Sequence, residues 1–316
     1  MQVSGGPPSM ALEIKLGALV VLLSVTLLFG FLPVCIIRGA GQCSVQPDVR
    51  RRWISLISCC SGGVFLATCM LDLLPDYLQG INEAFSTAGI NLQFPLPEFI
   101  VVLGFFLVLV LEQIFLDFKD RFSSQPEERR SLLGASSLQE EEGRGQRPRR
   151  GSDPSDGHFH GELVSQSTLR SLVLVLSLSL HSVFEGLALG LLEEDQEVLE
   201  VLVALLIHKS IMSFSLSLQL SQGVLQRRSA LTCLLLFSIM SPLGVAVGVG
   251  LTQTQTSPRH RLARCTLEGV ATGTFIYITF MEILPHELSS SRDRLLKVVL
   301  MLLGFTVVTA VLFIHL

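Results

Sequence analysis

Eight apolar stretches, each long enough to cross about 30 Å of hydrocarbon as a helix, constrain this chain more than any other feature. They cover roughly 14–37, 53–78, 98–118, 169–192, 198–221, 230–252, 264–285 and 295–315. Hydrophobic residues make up 49% of the sequence against 16% charged, which is far from the balance of a soluble domain. The expected fold is all-α and polytopic, with the lipid bilayer as its principal surroundings and no nucleic acid among its partners. The first apolar run is too long for a cleavable signal and lacks a small-residue cleavage site, so it is read as the first span. Seven cysteines without C-x-x-C spacing say little about redox compartment.

Basic residues between the spans set the orientation. With the N-terminus outside, the interior loops hold 17 Lys and Arg, eight of them in the 119–168 segment, while Lys15, Arg259, Arg261 and Arg264 lie outside. Both termini are therefore expected to be extracellular, although the arginines before the seventh span argue locally against it. Segment 119–168 is rich in Glu, Arg, Ser, Gly and Pro, lacks core-forming residues, and is expected to be a mostly disordered cytosolic loop. His158 and His160 near its end make at most a weak metal-sensing site. Between spans four and five, Glu193, Glu194, Asp195, Glu197 and Glu200 either attract cations or form a solvated helix start.

The sequence also repeats itself. At an offset of 210, Gly63 to Leu78 matches Gly273 to Leu288, aligning Phe65 with Phe275, Asp72 with Glu282 and Pro75 with Pro285. At an offset of 200, Leu103-Gly104-Phe105 matches Leu303-Gly304-Phe305. Spans two and seven, like three and eight, cross the membrane in opposite senses, which makes the repeat inverted: spans 1–3 and 6–8 around a central pair, 4–5. Secondary transporters are commonly built this way, with a site near the midplane at the repeat interface. The prolines that follow each acid by three either end their helices or shape the mouths of a path.

The central pair carries the polar residues. Span 169–192 contains ten leucines, each worth about 0.5 kcal/mol on insertion, so it tolerates a central acid costing about 3 kcal/mol. Ionisable groups at that depth are rare and usually face a bundle interior or a wet cavity. His181 and Glu185, four apart, share one helix face and can touch one ion; Ser177 lies one turn earlier on it. His208 on the next span supplies a third candidate ligand. Imidazole with carboxylate suits Zn2+ and other borderline divalent metals, and three protein ligands with an open position describe a labile site. The alternative is a structural bond from His181 to Ser213 or Ser215, with Glu185 paired to Lys209. Asp72 and Glu282 are placed at the outer and inner mouths of the path, with Glu112 and Glu268 nearby.

At these residues the chain resembles the ZIP (Zrt/Irt-like) metal transporter family, and within it the vertebrate plasma-membrane zinc importers of the second subfamily. The motifs that carry the resemblance are HSVFEGLALG at 181–190, HKSIMSFSLSL at 208–218, GGVFLATCMLDLLPDYL at 62–78 and EGVATGTFIYITFMEILPHEL at 268–288. The resemblance implies Zn2+ uptake into the cytosol by elevator-like movement, with Zn2+ as transported substrate and no permanent cofactor. It carries metal-binding roles to His181, Ser182, Glu185 and His208; Asp72, Ser182, Lys209, Met212, Phe275 and Glu282 are expected as accessory residues of the path. Lys209 and Met212 stand where many relatives place acidic ligands, so a mononuclear centre is expected. Cd2+ is a candidate second cargo and a homodimer a candidate assembly; endosomal or ER membranes are alternative locations. The rival class is an intramembrane zinc-dependent hydrolase of ceramidase type, which requires a third histidine at membrane depth.

Overall fold

The computed structural model describes residues 8–40, 47–87, 89, 94–137, 155–192, 195–222, 226–252, 259–289 and 293–315, and every regular element among them is helical. Eight helices are long and apolar enough to cross a membrane: α1 Leu12–Ile36, α2 Arg52–Thr87, α3 Leu96–Phe118, α4 Thr168–Gly190, α5 Gln196–Ser221, α6 Arg228–Leu251, α7 Arg261–Ser289 and α8 Arg294–Ile314. Their lipid-facing sides are continuous apolar stripes, as on α8, where Leu295, Val299, Leu302, Leu303 and Val307 are all exposed.

Helix continues beyond the apolar limits of the third and fourth spans. The third runs on to Ser137 and the fourth begins at Ser155, so both flanks of the 119–168 segment, expected to be mostly disordered, are helical. Helix formers such as Glu, Arg, Leu and Ala occupy the first flank, and Arg121 pairs with Asp117 one turn back at 3.0 Å. Residues 138–154 and the side chains of His158 and His160 lie outside the described residues, as do Glu193 and Glu194.

The prolines do not end their helices. Each follows a six-residue wide turn, Thr68–Leu73 in α2 and Ile278–Ile283 in α7, after which helix continues to Thr87 and Ser289. A proline ring clashes with the carbonyl four residues back and offers no N–H to it. The wide turn shifts the hydrogen bonding to i→i−5 just ahead of each ring: Leu74 N–H donates to the Cys69 carbonyl and Leu284 N–H to the Thr279 carbonyl. The two turns are repeat equivalents, because Thr68 and Ile278 stand at the same offset of 210 that aligns the two sequence halves.

The inverted repeat is equally visible in how the helices touch. A Cβ on Gly63 would fall on the Met301 carbonyl, and one on Gly273 on the Val101 carbonyl; Gly104 faces Val270 and Gly304 faces Cys60 in the same way. Each contact has its repeat counterpart, because Val101 and Met301 differ by 200 and Cys60 and Val270 by 210. Glycine is required at all four positions for the backbones to approach so closely. These contacts join α2 to α8 and α3 to α7. A second group forms around the central pair, with α4 packed on α6 and α5 on α1. Gly186 and Gly190 on α4 meet Ser241 and Val245, while Gly244 and Gly248 on α6 meet Val183 and Leu187.

The eight helices thus sort into two groups, α1/α4/α5/α6 and α2/α3/α7/α8. Contacts between the groups run chiefly through α4 against α7 and α2 against α5. One apolar cluster bridges them, with Phe65, Cys69, Phe275 and Ile278 from the second group and Leu174, Leu178, Met212, Leu216 and Phe237 from the first.

Candidate metal centre

His181, Glu185 and His208 come together on that boundary. Successive turns of α4 place His181 and Glu185 on one face, and α5 brings His208 opposite, so that one ligand atom from each lies within 4.8 Å of the others. His181 Nε2 stands 3.6 Å from Glu185 Oε2, and His208 Nε2 3.8 Å from Oε1. Both Nε2 atoms are buried without a hydrogen-bond partner among the described residues. Buried nitrogen lone pairs are rarely left unmatched, and an ion with ligand distances of about 2 Å would take both up with a small contraction.

His181 is held from behind. Its Nδ1 lies 3.0 Å from the Ala271 carbonyl oxygen and 3.2 Å from Thr274 Oγ1, both on α7. A carbonyl only accepts, so Nδ1 carries the proton and Nε2 keeps the lone pair that faces Glu185. The structural alternative for His181 is therefore not observed: Ser213 instead donates to the Thr26 carbonyl at 2.6 Å.

Its other half is present, because Lys209 pairs with Glu185. The ammonium is 2.5 Å from Glu185 Oε2 and donates to Ser182 Oγ at 2.7 Å. Lys209 is only 1% exposed and lies 5.5 Å from the centre of the Phe237 ring. Ser182 is thus spoken for by the lysine rather than aimed at the three ligands. A buried ammonium tolerates burial only with such partners.

A cavity of about 310 Å³ leads to the three ligands from the end of the bundle where α2 and α4 finish and α5 and α7 begin. Asp72, Asp76, Glu268 and Arg264 line it together with His181, Glu185 and His208. Arg264 is tied to Glu197 at 2.8 Å and to Glu268 at 3.2 Å, which leaves Asp72 and Asp76 without an ion-pair partner among the described residues. On the far side of the ligands the bridging apolar cluster closes the bundle. Phe275 caps it, its ring centre 5.0 Å from each imidazole and 5.6 Å from Phe65.

The remaining candidates fall elsewhere. Met212 is fully buried in the closing cluster. Glu282 lies beyond that cluster, bound by Arg170 through its carbonyl at 3.0 Å and its carboxylate at 3.7 Å. Glu112 accepts the Tyr277 hydroxyl, and Ser177 bonds its own helix at Val173. Sequence reasoning missed Thr274, the Ala271 carbonyl and Asp76. Only Asp76, four residues after Asp72 and hence on the same face, left a signal that could have been read.

A family model described as "ZIP Zinc transporter" matches residues 12–312. The chain is 49% identical to human "Zinc transporter ZIP1", covering 98% of this chain and 93% of that protein. Against the mouse protein of the same name it is 48% identical over 96% and 92%. Human "Zinc transporter ZIP2" is 35% identical, with 90% of this chain and 93% of the relative covered. The match runs through all eight membrane helices, and the chain belongs to the ZIP zinc transporter family.

Proposed function

We propose that this chain carries Zn2+ across the plasma membrane into the cytosol through a single site made by His181, Glu185 and His208. The observation that carries the reading is the position of that site: three candidate ligands at the blind end of a cavity into which Asp72, Asp76 and Glu268 also face, on the boundary between two helix groups. The family membership and the identity to proteins named zinc transporters support the choice of ion. With the N-terminus outside, as the distribution of basic residues indicates, the cavity mouth faces the exterior.

Zn2+ enters past Asp72 and Asp76, whose charge raises its local concentration, and exchanges water for two imidazoles and a carboxylate. Phe275 and the apolar cluster below it block the way on. Passage requires the site to change sides, and the division of the helices suggests how: α1, α4, α5 and α6 slide as a body against α2, α3, α7 and α8. Glycines let the members of each group pack backbone to backbone, while contacts across the boundary between groups include side chains such as the Arg170–Glu282 pair. Lys209 supplies a fixed positive charge that limits the site to one ion. A hydrolase would need a third histidine, and among the described residues no other group of ligating side chains has metal-binding geometry.

Uptake of radiolabelled Zn2+ by cells expressing the chain tests this, with Cd2+, Fe2+ and Mn2+ as competitors. His181→Ala is expected to abolish uptake at near-normal surface abundance, since it deletes a ligand without removing apolar packing; Glu185→Ala is expected to abolish it too, at lower abundance, because it strands the buried Lys209 ammonium. Wild-type rates in both variants would place the metal path elsewhere.

A further inference from the structure

The three ligands and their backing do not belong to the same helix group. His181, Glu185 and His208 all lie on α4 and α5. The atoms that orient His181 lie on α7: the Ala271 carbonyl at 3.0 Å from Nδ1 and Thr274 Oγ1 at 3.2 Å. Thr274 is fully buried, and its hydroxyl donates to that same Ala271 carbonyl at 2.6 Å, so carbonyl, hydroxyl and imidazole form one closed arrangement. No comparable backing from the opposite group is found for His208 among the described residues.

We propose that Thr274, with the Ala271 carbonyl it grips, is a positioning residue for the metal site and makes its affinity depend on which way the transporter faces. This role rests on the two-group movement described under the proposed function. While α4 is docked on α7 as seen here, the Nδ1–H is taken up by the Ala271 carbonyl and the Nε2 lone pair is fixed toward Glu185. Groups that hold the far nitrogen of a ligating histidine fix its tautomer and orientation, and their loss typically costs about 10- to 100-fold in metal affinity. When α4 slides along α7, His181 travels with α4 while Ala271 and Thr274 stay behind. The imidazole is then free to rotate, and one of the three ligands is no longer held in place.

Tight capture on the cavity side and easier release on the other follow from the same hydrogen bond. Coupling is reciprocal: an ion bound to a well-oriented His181 favours the docked register, and the register favours the ion. Thr274 reaches the metal only through His181 and contributes no ligand atom itself.

The test uses purified protein in liposomes, with Zn2+ presented to one face at a time, and compares Thr274→Val with Thr274→Ser. Valine keeps the shape and removes the hydroxyl; serine restores it. Thr274→Val is expected to raise the half-saturating Zn2+ concentration on the cavity side about tenfold, to leave half-saturation on the other face unchanged, and to be rescued by Thr274→Ser. A purely structural role for Thr274 would lower the amount of folded protein or the maximal rate without that one-sided shift. An unchanged half-saturation on the cavity side, or an equal shift on both faces, overturns the proposal. His181→Ala, measured alongside, separates this from the site itself: if it transports like wild type, the site reading fails; if it is inactive while Thr274→Val matches wild type, only the positioning role fails.

Discussion

Replacing Lys209 asks how many ions the centre holds. The ammonium lies 2.5 Å from Glu185 Oε2, on the side of the carboxylate away from His208. Paired metal sites place their ions about 4 Å apart and share a carboxylate of this kind. Two unit charges 4 Å apart repel by about 4 kcal/mol at an effective dielectric constant of 20, and a divalent ion beside the ammonium doubles that to about 8 kcal/mol. At about 1.4 kcal/mol per tenfold change in affinity, even half that penalty lowers the affinity for a second ion by about a thousandfold. The wild-type protein should therefore bind one Zn2+ per chain. In Lys209→Met the first ion no longer competes with an ammonium for Glu185 and should bind more tightly. The metal-free variant, left with an unpaired buried carboxylate, should be less stable by about 3–5 kcal/mol, a loss that Zn2+ restores. Equilibrium metal content and calorimetric titration of detergent-purified protein read the stoichiometry, and thermal unfolding with and without Zn2+ reads the stability. Two ions per wild-type chain, or no gain in affinity on removing the lysine, would refute the electrostatic reasoning.

Particular contacts set further expectations. Gly186→Leu should push α4 from α6, because even a methyl there meets the Ser241 carbonyl; overpacking of this kind costs about 1–3 kcal/mol or more and should appear as lost surface expression and a lower unfolding temperature. Gly63→Ala and Gly273→Ala, repeat counterparts against Met301 and Val101, should lower thermal stability by similar amounts, and a large disparity would count against the symmetry of the two halves. An epitope inserted near Gly151 should be reached by antibody only after permeabilisation, and labelling of intact cells would reverse the proposed orientation.

Much of the architecture was legible because membrane helices announce themselves by length and apolarity, and the repeat survived in glycines and prolines that are backbone requirements. Gly63, Gly104, Gly273 and Gly304 recur because a carbonyl lies against each of them. The convergence of the candidate site was legible for the same kind of reason: an imidazole and a carboxylate four apart in an apolar helix, as at His181 and Glu185, cost too much to bury unless a cavity or an ion solvates them. What stayed hidden lacks a side-chain signature. A carbonyl at Ala271 looks like any other carbonyl in sequence, and its meeting with His181 depends on the register of α4 against α7. The wide turns at Thr68–Leu73 and Ile278–Ile283 were hidden too, since Pro75 and Pro285 read equally well as helix ends. Asp72 lines the cavity beside the ligands while its repeat counterpart Glu282 is held by Arg170 beyond the apolar closure. That asymmetry lies in how the helices pack and has no counterpart in the sequence.

Reconstituted transport tests the central claim most directly. Liposomes containing the purified chain and a trapped Zn2+ indicator should respond to external Zn2+ at a rate well above protein-free liposomes, and the response should vanish in His181→Ala, Glu185→Ala and His208→Ala. A wild-type signal no faster than that of empty liposomes, or one that persists in all three variants, would contradict the assignment of His181, Glu185 and His208 as the path of the ion.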